Sequence, residues 1–170
     1  MPFCVVPFIH NYIDTQGQNR ICCAATWKPG QYNLQDWQGE DYQKIRASML
    51  NDNQDWLPEC QDCERREKVG EDHSYRKLYN RLYEKLGKPK LDVVTGNPLE
   101  TPISYDLRMN NLCNLSCRMC GASSSSQIYK EAKKYPELWP FYVNDPPDKY
   151  NNMDISHIIH EAESMYEIKL

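Results

Sequence analysis

The sequence predicts an α+β fold in which an N-terminal hairpin-plus-helix domain precedes the first βα units of a parallel sheet. Three patterns support this prediction: a hairpin pattern at residues 8–24, an amphipathic helix starting at Ser74, and an alternating strand pattern at 103–109. Two helical patterns and a second strand pattern follow the last of these. Strand, helix, helix and strand in that order favour parallel strands joined by a crossover.

The hairpin pattern begins with Phe8, Ile9, Tyr12 and Ile13, all residues that favour strands. The stretch "TQGQ" then offers Gly17 for the positive φ of a tight turn, and "RICC" returns as the second strand. A short helix is expected after it, because Tyr42, Ile45 and Met49 recur at i, i+3 and i+7. The polar stretch "NDNQDWLPEC" is then expected to be a loop that delivers Cys60 and Cys63.

The helix starting at Ser74 has the clearest apolar stripe in the chain, and Gly87 with Pro89 is expected to end it. Residues 88–102 contain three prolines and a glycine, so we place a domain boundary there. The expected units are a first domain at 1–90, a linker at 91–102 and a second segment at 103–170. Within the second segment, serines cap a helix carrying Ile128 and Ala132, a further helix begins at Asp154, and "EIKL" forms the second strand.

Composition excludes several classes of function. The net charge is −4, with 24 acidic and 20 basic side chains interspersed, so nucleic-acid binding is not expected. Neither a charged leader nor an apolar run of about 18 residues is present, which predicts a soluble cytoplasmic protein without membrane contact. Thiols in that compartment stay reduced, so the eight cysteines favour metal ligation or redox chemistry over disulfides.

The stretch "CNLSCRMC" brings three cysteines together directly after the predicted strand. A structural zinc site uses four protein ligands, so three thiolates leave one position open. A four-iron cluster held by three cysteines likewise keeps one iron free for an outside ligand. The alternative is a structural zinc site that takes its fourth ligand from elsewhere, such as His10 or Cys23.

The spacing of Cys113, Cys117 and Cys120 resembles the CxxxCxxC loop of the radical S-adenosylmethionine enzymes, which follows the first strand of a partial (β/α) barrel. The resemblance implies a [4Fe–4S] cluster on these cysteines whose free iron binds S-adenosylmethionine. An electron from a low-potential donor such as a flavodoxin or ferredoxin then splits the cofactor into methionine and a 5′-deoxyadenosyl radical, which takes a hydrogen atom from the substrate. Met119, often aromatic in the family, would cover the adenine.

The family's Gly-Gly-Glu-Pro stretch would be expected just after "EIKL", where this chain ends. A two-stranded parallel sheet is also not a stable unit. We therefore expect the second segment to be an incomplete barrel, either a fragment or half of a split protein, that is inactive alone.

The N-terminal cysteines carry a second resemblance. Cys4 is followed by twelve residues, Gly17, four residues and Cys22, and Cys60 with Cys63 completes a set of four. This arrangement resembles the twitch module, the shortened relative of the SPASM domain, although in better-known members that module follows the barrel. It implies one auxiliary iron–sulfur cluster on Cys4, Cys22, Cys60 and Cys63, while a zinc ribbon is equally compatible with four thiolates.

Three functions remain open at this point. The resemblance implies a radical S-adenosylmethionine enzyme, with a peptide or protein as the expected substrate. The alternatives are a non-catalytic module with structural zinc sites and a redox carrier without radical chemistry. Cys23 has no partner in either set and is expected to be a buried apolar residue.

Overall fold

The computed structural model describes residues 2–15, 17–26, 32–51, 55–87, 102–108, 110–117, 120–122, 124–137, 156 and 167–169. These residues form one four-stranded sheet of order β2-β1-β3-β4. Its strands are β1 (His10–Ile13), β2 (Asn19–Arg20), β3 (Ser104–Leu107) and β4 (Glu167–Lys169). β1 is antiparallel to β2 and parallel to β3, which is parallel to β4. The predicted first domain contributes β1 and β2, and the second segment contributes β3 and β4, so both units share this sheet. That the sheet belongs to a (β/α) barrel stays a prediction.

The predicted hairpin is present, with Tyr12 opposite Arg20 in β1 and β2. Gly17 adopts a φ of 74°, as the tight turn requires. Asp14 fixes the turn, because its carboxylate accepts from the backbone N–H of Gln18 at 2.9 Å and from Arg20 Nε at 2.8 Å.

The first strand is shorter than predicted, because Val6–Ile9 forms a helical turn, α1, that contains Phe8 and Ile9. Pro7 suits the first turn of a helix, where its missing N–H has no partner to lose. All four side chains of α1 are buried. The hydrophobic core, which also contains Tyr42 and Ile45, therefore overrides the local strand preference of Phe8 and Ile9.

Among the described residues, four longer helices follow: α2 (Glu40–Leu50), α3 (Gln61–Lys68), α4 (Tyr75–Lys85) and α5 (Ser126–Lys134). The sequence predicts α2, α4 and α5, and the side chains of Ser74 and Ser125 cap α4 and α5. α3 is absent from the prediction because its sequence, "QDCERREK", has no apolar stripe. Ion pairs four residues apart support it instead, joining Arg66 to Asp62 at 2.9 Å and Lys68 to Glu64 at 2.7 Å.

β3 is buried on both faces, although its sequence alternates apolar and polar residues. It lies between β1 and β4, as interior strands of parallel sheets do. Ser104 and Asp106, on the second face of β3, each have a polar partner. Ser104 Oγ lies 2.8 Å from His10 Nδ1, and Asp106 pairs with Arg108 at 2.9 Å.

Several predicted features lie outside the described residues. They are the linker at 91–102 apart from Pro102, Met109 of the predicted strand, and the helix beginning at Asp154 apart from Ser156. Within the part of the chain that the structure describes, no helix is long and apolar enough to cross a membrane.

Arg46 in α2 is a fully buried guanidinium with 0% exposure. It donates to the backbone carbonyls of Pro7 and Trp37, each at 2.7 Å, and lies 4.5 Å from the Trp37 ring centroid. Replacing Arg46 with Ala leaves both carbonyls unpaired beside a cavity, so we expect the free energy of unfolding to fall by about 3 kcal/mol in urea titrations. Lys44→Ala, an exposed change on the same helix, should cost no more than about 0.5 kcal/mol. Equal losses would contradict the structural importance of Arg46.

Candidate metal centres

Four cysteines of the N-terminal segment line one cavity of about 20 Å³, here called the four-cysteine cavity. They are Cys4 before α1, Cys22 after β2, Cys60 at the end of the 3₁₀ turn Pro58–Cys60, and Cys63 in the first turn of α3. The four predicted ligands therefore line one cavity, although they come from three separate places in the chain. Cys63 is presented by a helix instead of the predicted loop, so two turns of helical backbone hold the Cys60–Cys63 pair.

Burial is the largest influence on the pKa values of these thiols. It raises the pKa values of Cys4, Cys22 and Cys60 far above the ordinary value, and negative charge on neighbouring cysteines raises them further. Without a cation, the thiols in this cavity are therefore protonated at neutral pH. A metal that binds here must displace protons, so its affinity rises with pH.

Backbone N–H groups act in the opposite direction at three of the four sulfurs. The donors are Val6 for Cys4, Ala24 for Cys22, and both Tyr75 and Arg76 for Cys63. Each of these hydrogen bonds lowers the thiol pKa and so favours the thiolate, the form that binds metals. Because Tyr75 and Arg76 begin α4, the free N–H groups of that helix end serve the Cys63 sulfur.

The walls of the four-cysteine cavity are mostly apolar, with Val6, Ile21 and Met49 among them. The charged residues Glu59 and Arg76 also line it.

Arg76 is paired with Glu67, whose carboxylate also accepts from Ser74 Oγ at 2.6 Å. Burial would raise the pKa of Glu67, but the hydrogen bonds from Arg76 and Ser74 outweigh it and hold that pKa below its ordinary value. The sequence alone does not predict this pair. Its only signal is that Glu67 lies four residues after Cys63 and so shares its helix face.

The three-cysteine loop, residues 113–120, runs between β3 and the N-terminus of α5. Ser126 holds it there, since its Oγ donates to the Cys113 carbonyl at 3.1 Å and accepts from the Cys113 N–H at 3.3 Å. Ser125, the cap of α5, donates to the Leu115 carbonyl at 2.7 Å. Cys117 is exposed, and Cys113 and Cys120 are half-buried. Met119 lies outside the described residues.

The Cys117 carbonyl accepts from the Cys120 N–H at 3.0 Å, which holds the backbones of these two cysteines close together. Among the residues that the structure describes, no three His, Cys, Asp or Glu side chains are arranged to hold a single metal ion as they stand. This applies to both cysteine sets.

The two suggested fourth ligands for the loop occupy different places. His10 starts β1 opposite Ser104, whereas the loop follows the other end of β3, about 13 Å along the strand. The centroid of the His10 ring lies 5.1 Å from that of the Tyr79 ring, within the core. Cys23, in contrast, lines the same pocket as Cys120. It is half-buried, so the prediction that Cys23 is a buried apolar residue is wrong.

That second pocket, here called the loop pocket, has a volume of about 450 Å³, within the range of ligand sites. It lies at the carboxyl ends of β1 and β3, where parallel sheets bind their ligands. Its lining is polar and includes two arginines, Arg20 and Arg108, each paired with an aspartate. The lining residues that the structure describes are Tyr12, Asp14, Thr15, Arg20, Cys23, Tyr75, Arg108, Asn110, Cys120, Gly121 and Ser124.

The two cysteine sites are neighbours. Cys22 lines the four-cysteine cavity and the adjacent Cys23 lines the loop pocket, while Tyr75 lines both. The hairpin return and the start of α4 therefore form the wall between them. No protein-family model, no curated protein and no solved structure matches this chain.

Proposed function

We propose that this chain carries an auxiliary iron–sulfur centre and the opening βα unit of a radical S-adenosylmethionine enzyme. The main support is the convergence of Cys4, Cys22, Cys60 and Cys63 on one cavity, separate from the three-cysteine loop. Four thiolates close the coordination of a centre, whereas three leave a position for an exogenous ligand. Two sets of this kind, side by side, are the donor arrangement that the proposed enzyme needs.

The four-cysteine cavity fits an iron–sulfur centre by the chemistry of its donors. Thiolates are the ligands that such clusters use, and hydrogen bonds to the sulfurs tune their potentials. The backbone N–H groups at Cys4, Cys22 and Cys63 provide these bonds. The apolar wall residues restrict water, which protects a reduced centre.

The three-cysteine loop fits an open site by its position. It is held against the N-terminus of α5, where the positive end of the helix dipole favours an anionic group. A [4Fe–4S] cluster on Cys113, Cys117 and Cys120, with S-adenosylmethionine, would supply the 5′-deoxyadenosyl radical for hydrogen abstraction.

The loop pocket is then the place for cofactor and substrate, because Cys120 forms part of its wall. Arg108 and Asn110 offer hydrogen-bond donors there for carboxylate or amide groups. A peptide or protein substrate presents such groups. Reduction of the cluster would require a low-potential donor such as a flavodoxin or ferredoxin.

The alternative is a non-catalytic module with structural zinc. One observation favours it: the four-cysteine cavity of about 20 Å³ is close to the space of one water molecule. Zinc with four thiolates at about 2.3 Å needs less room than a cluster. Cluster binding would therefore require the four thiols to move outward.

Metal analysis separates these functions. The anaerobically purified chain, reconstituted with iron and sulfide, is expected to be brown and to hold about eight iron atoms with equivalent sulfide, as two four-iron clusters require. Absorption spectra and elemental analysis check this. A colourless chain with stoichiometric zinc and no retained iron would contradict the proposal. A redox carrier would be coloured, but its cluster spectrum would not respond to S-adenosylmethionine.

A further inference from the structure

Arg76 provides the positive charge in the described lining of the four-cysteine cavity. Its side chain is only 16% exposed. Glu67 accepts from Nε at 2.9 Å and also pairs with Nη2, while the Phe3 carbonyl accepts from Nη1 at 3.0 Å. The Trp56 ring centroid lies 5.6 Å from the guanidinium carbon. A planar guanidinium held by a two-point carboxylate pair and a carbonyl keeps a fixed orientation.

A metal centre in this cavity would be strongly negative. Four thiolates around a divalent ion, or around an oxidised four-iron core, leave a net charge of about −2, and one added electron makes it about −3. Glu59 also lines the cavity and is buried. The positive charge of Arg76 acts on Cys4 and Cys63 in particular. The Coulomb attraction between Arg76 and the centre grows as the centre becomes more negative. The low effective dielectric constant of a buried site strengthens this attraction.

Glu67 opposes part of this effect. It contacts Arg76 directly, and Ser74 holds it in place, but it does not itself line the cavity. The centre therefore feels a positive charge whose strength the paired carboxylate reduces. Removing one member of the pair should shift the charge balance in one direction, and removing the other should shift it in the opposite direction.

We propose that the Arg76–Glu67 pair sets the charge balance of the four-cysteine centre, with Arg76 favouring the reduced, more negative state and Glu67 limiting that preference. The inference rests on the proposed function only in requiring a metal centre at Cys4, Cys22, Cys60 and Cys63. Reduction adds one electron from an external reductant, and no bond is made or broken.

The test measures the midpoint potential of the iron-loaded chain in a Cys117→Ala background, so that the signal arises from the four-cysteine centre. Arg76→Met should lower the equilibrium constant for reduction at least about tenfold, which is about 59 mV for one electron. Glu67→Gln should raise this equilibrium constant. The value for Arg76→Lys should lie closer to that of the parent chain than the value for Arg76→Met does. Arg81→Met is the matched control, because Arg81 lies on the same helix but pairs with the exposed Asp72.

Binding of Co²⁺ to the iron-free chain provides a second readout that does not require a cluster. Arg76→Met should weaken Co²⁺ binding about tenfold or more, while Glu67→Gln should strengthen it and Arg81→Met should leave it unchanged. A chain that takes no iron but shows these opposite shifts would refute the proposed enzyme and support the charge pair.

Shifts of Arg76→Met and Glu67→Gln in the same direction, or shifts no larger than that of Arg81→Met, would overturn the inference. A merely structural role would produce that outcome, since either change breaks the same ion pair. If Arg76→Met does not fold, Glu67→Gln decides alone: a raised potential or tighter Co²⁺ binding supports the inference, and no rise overturns it. Failure to bind either metal would also overturn it.

Discussion

Replacing Cys60 with Ser is expected to remove the four-cysteine centre and to lower the free energy of unfolding of the metal-loaded chain by about 3 kcal/mol or more. Metal binding contributes directly to folding in small domains, and a hydroxyl is a poor substitute for a soft thiolate. Cys60 also packs against the hydrophobic core. Metal analysis and urea titrations of the same preparation check both effects.

Cys23→Ser is the matched control, because Cys23 follows Cys22 directly but lines the loop pocket. It should retain the metal of the four-cysteine centre and change stability by no more than about 1 kcal/mol. Removing the metal with a chelator should bring parent and Cys60→Ser chains close together in stability. Equal metal loss from Cys23→Ser and Cys60→Ser would contradict the ligand set.

Cys117→Ala is expected to abolish the response of the reduced, cluster-loaded chain to S-adenosylmethionine. The response measured is the change in the electron paramagnetic resonance spectrum when the cofactor is added. Because the Cys117 side chain is exposed, the free energy of unfolding of the metal-free chain should change by no more than about 0.5 kcal/mol. The signal of the four-cysteine centre should persist.

Ser116→Ala is the neighbouring control. Ser116 is exposed and pairs with Glu131 at 2.8 Å, so its loss should leave the spectral response intact. A response that survives Cys117→Ala would show that the cofactor acts elsewhere. Zinc bound by Cys113, Cys117 and Cys120 with Cys23 as fourth ligand would replace the radical enzyme with the structural zinc module.

The sequence alone determined the features that depend on neighbouring residues. The apolar stripe after Ser74 gave α4, the serine at 125 capped α5, and Gly17 gave the hairpin turn its positive φ. The spacing of cysteines within Cys60–Cys63 and within the three-cysteine loop is local as well. Such features follow from backbone dihedral preferences and helical or strand periodicity, which act over a few residues.

Only the tertiary structure decided the features that depend on residues far apart in the chain. β1 pairs with β3, joining His10 to Ser104 across 94 positions, and no periodicity encodes which strand lies beside which. Burial in the core converts Phe8 and its neighbours into a helical turn, and ion pairs support the polar α3.

The same limit applies to the sites. Cysteine spacing suggested a set of four, but folding brings Cys4 and Cys22 to the cavity that the Cys60–Cys63 pair lines, and it turns Cys23 toward the loop pocket. Arg76 lines the four-cysteine cavity because α4 begins beside Cys63. Long-range packing places these groups, and the burial of apolar surface drives that packing. Because this driving force is non-directional, the local sequence does not show which distant residues will meet.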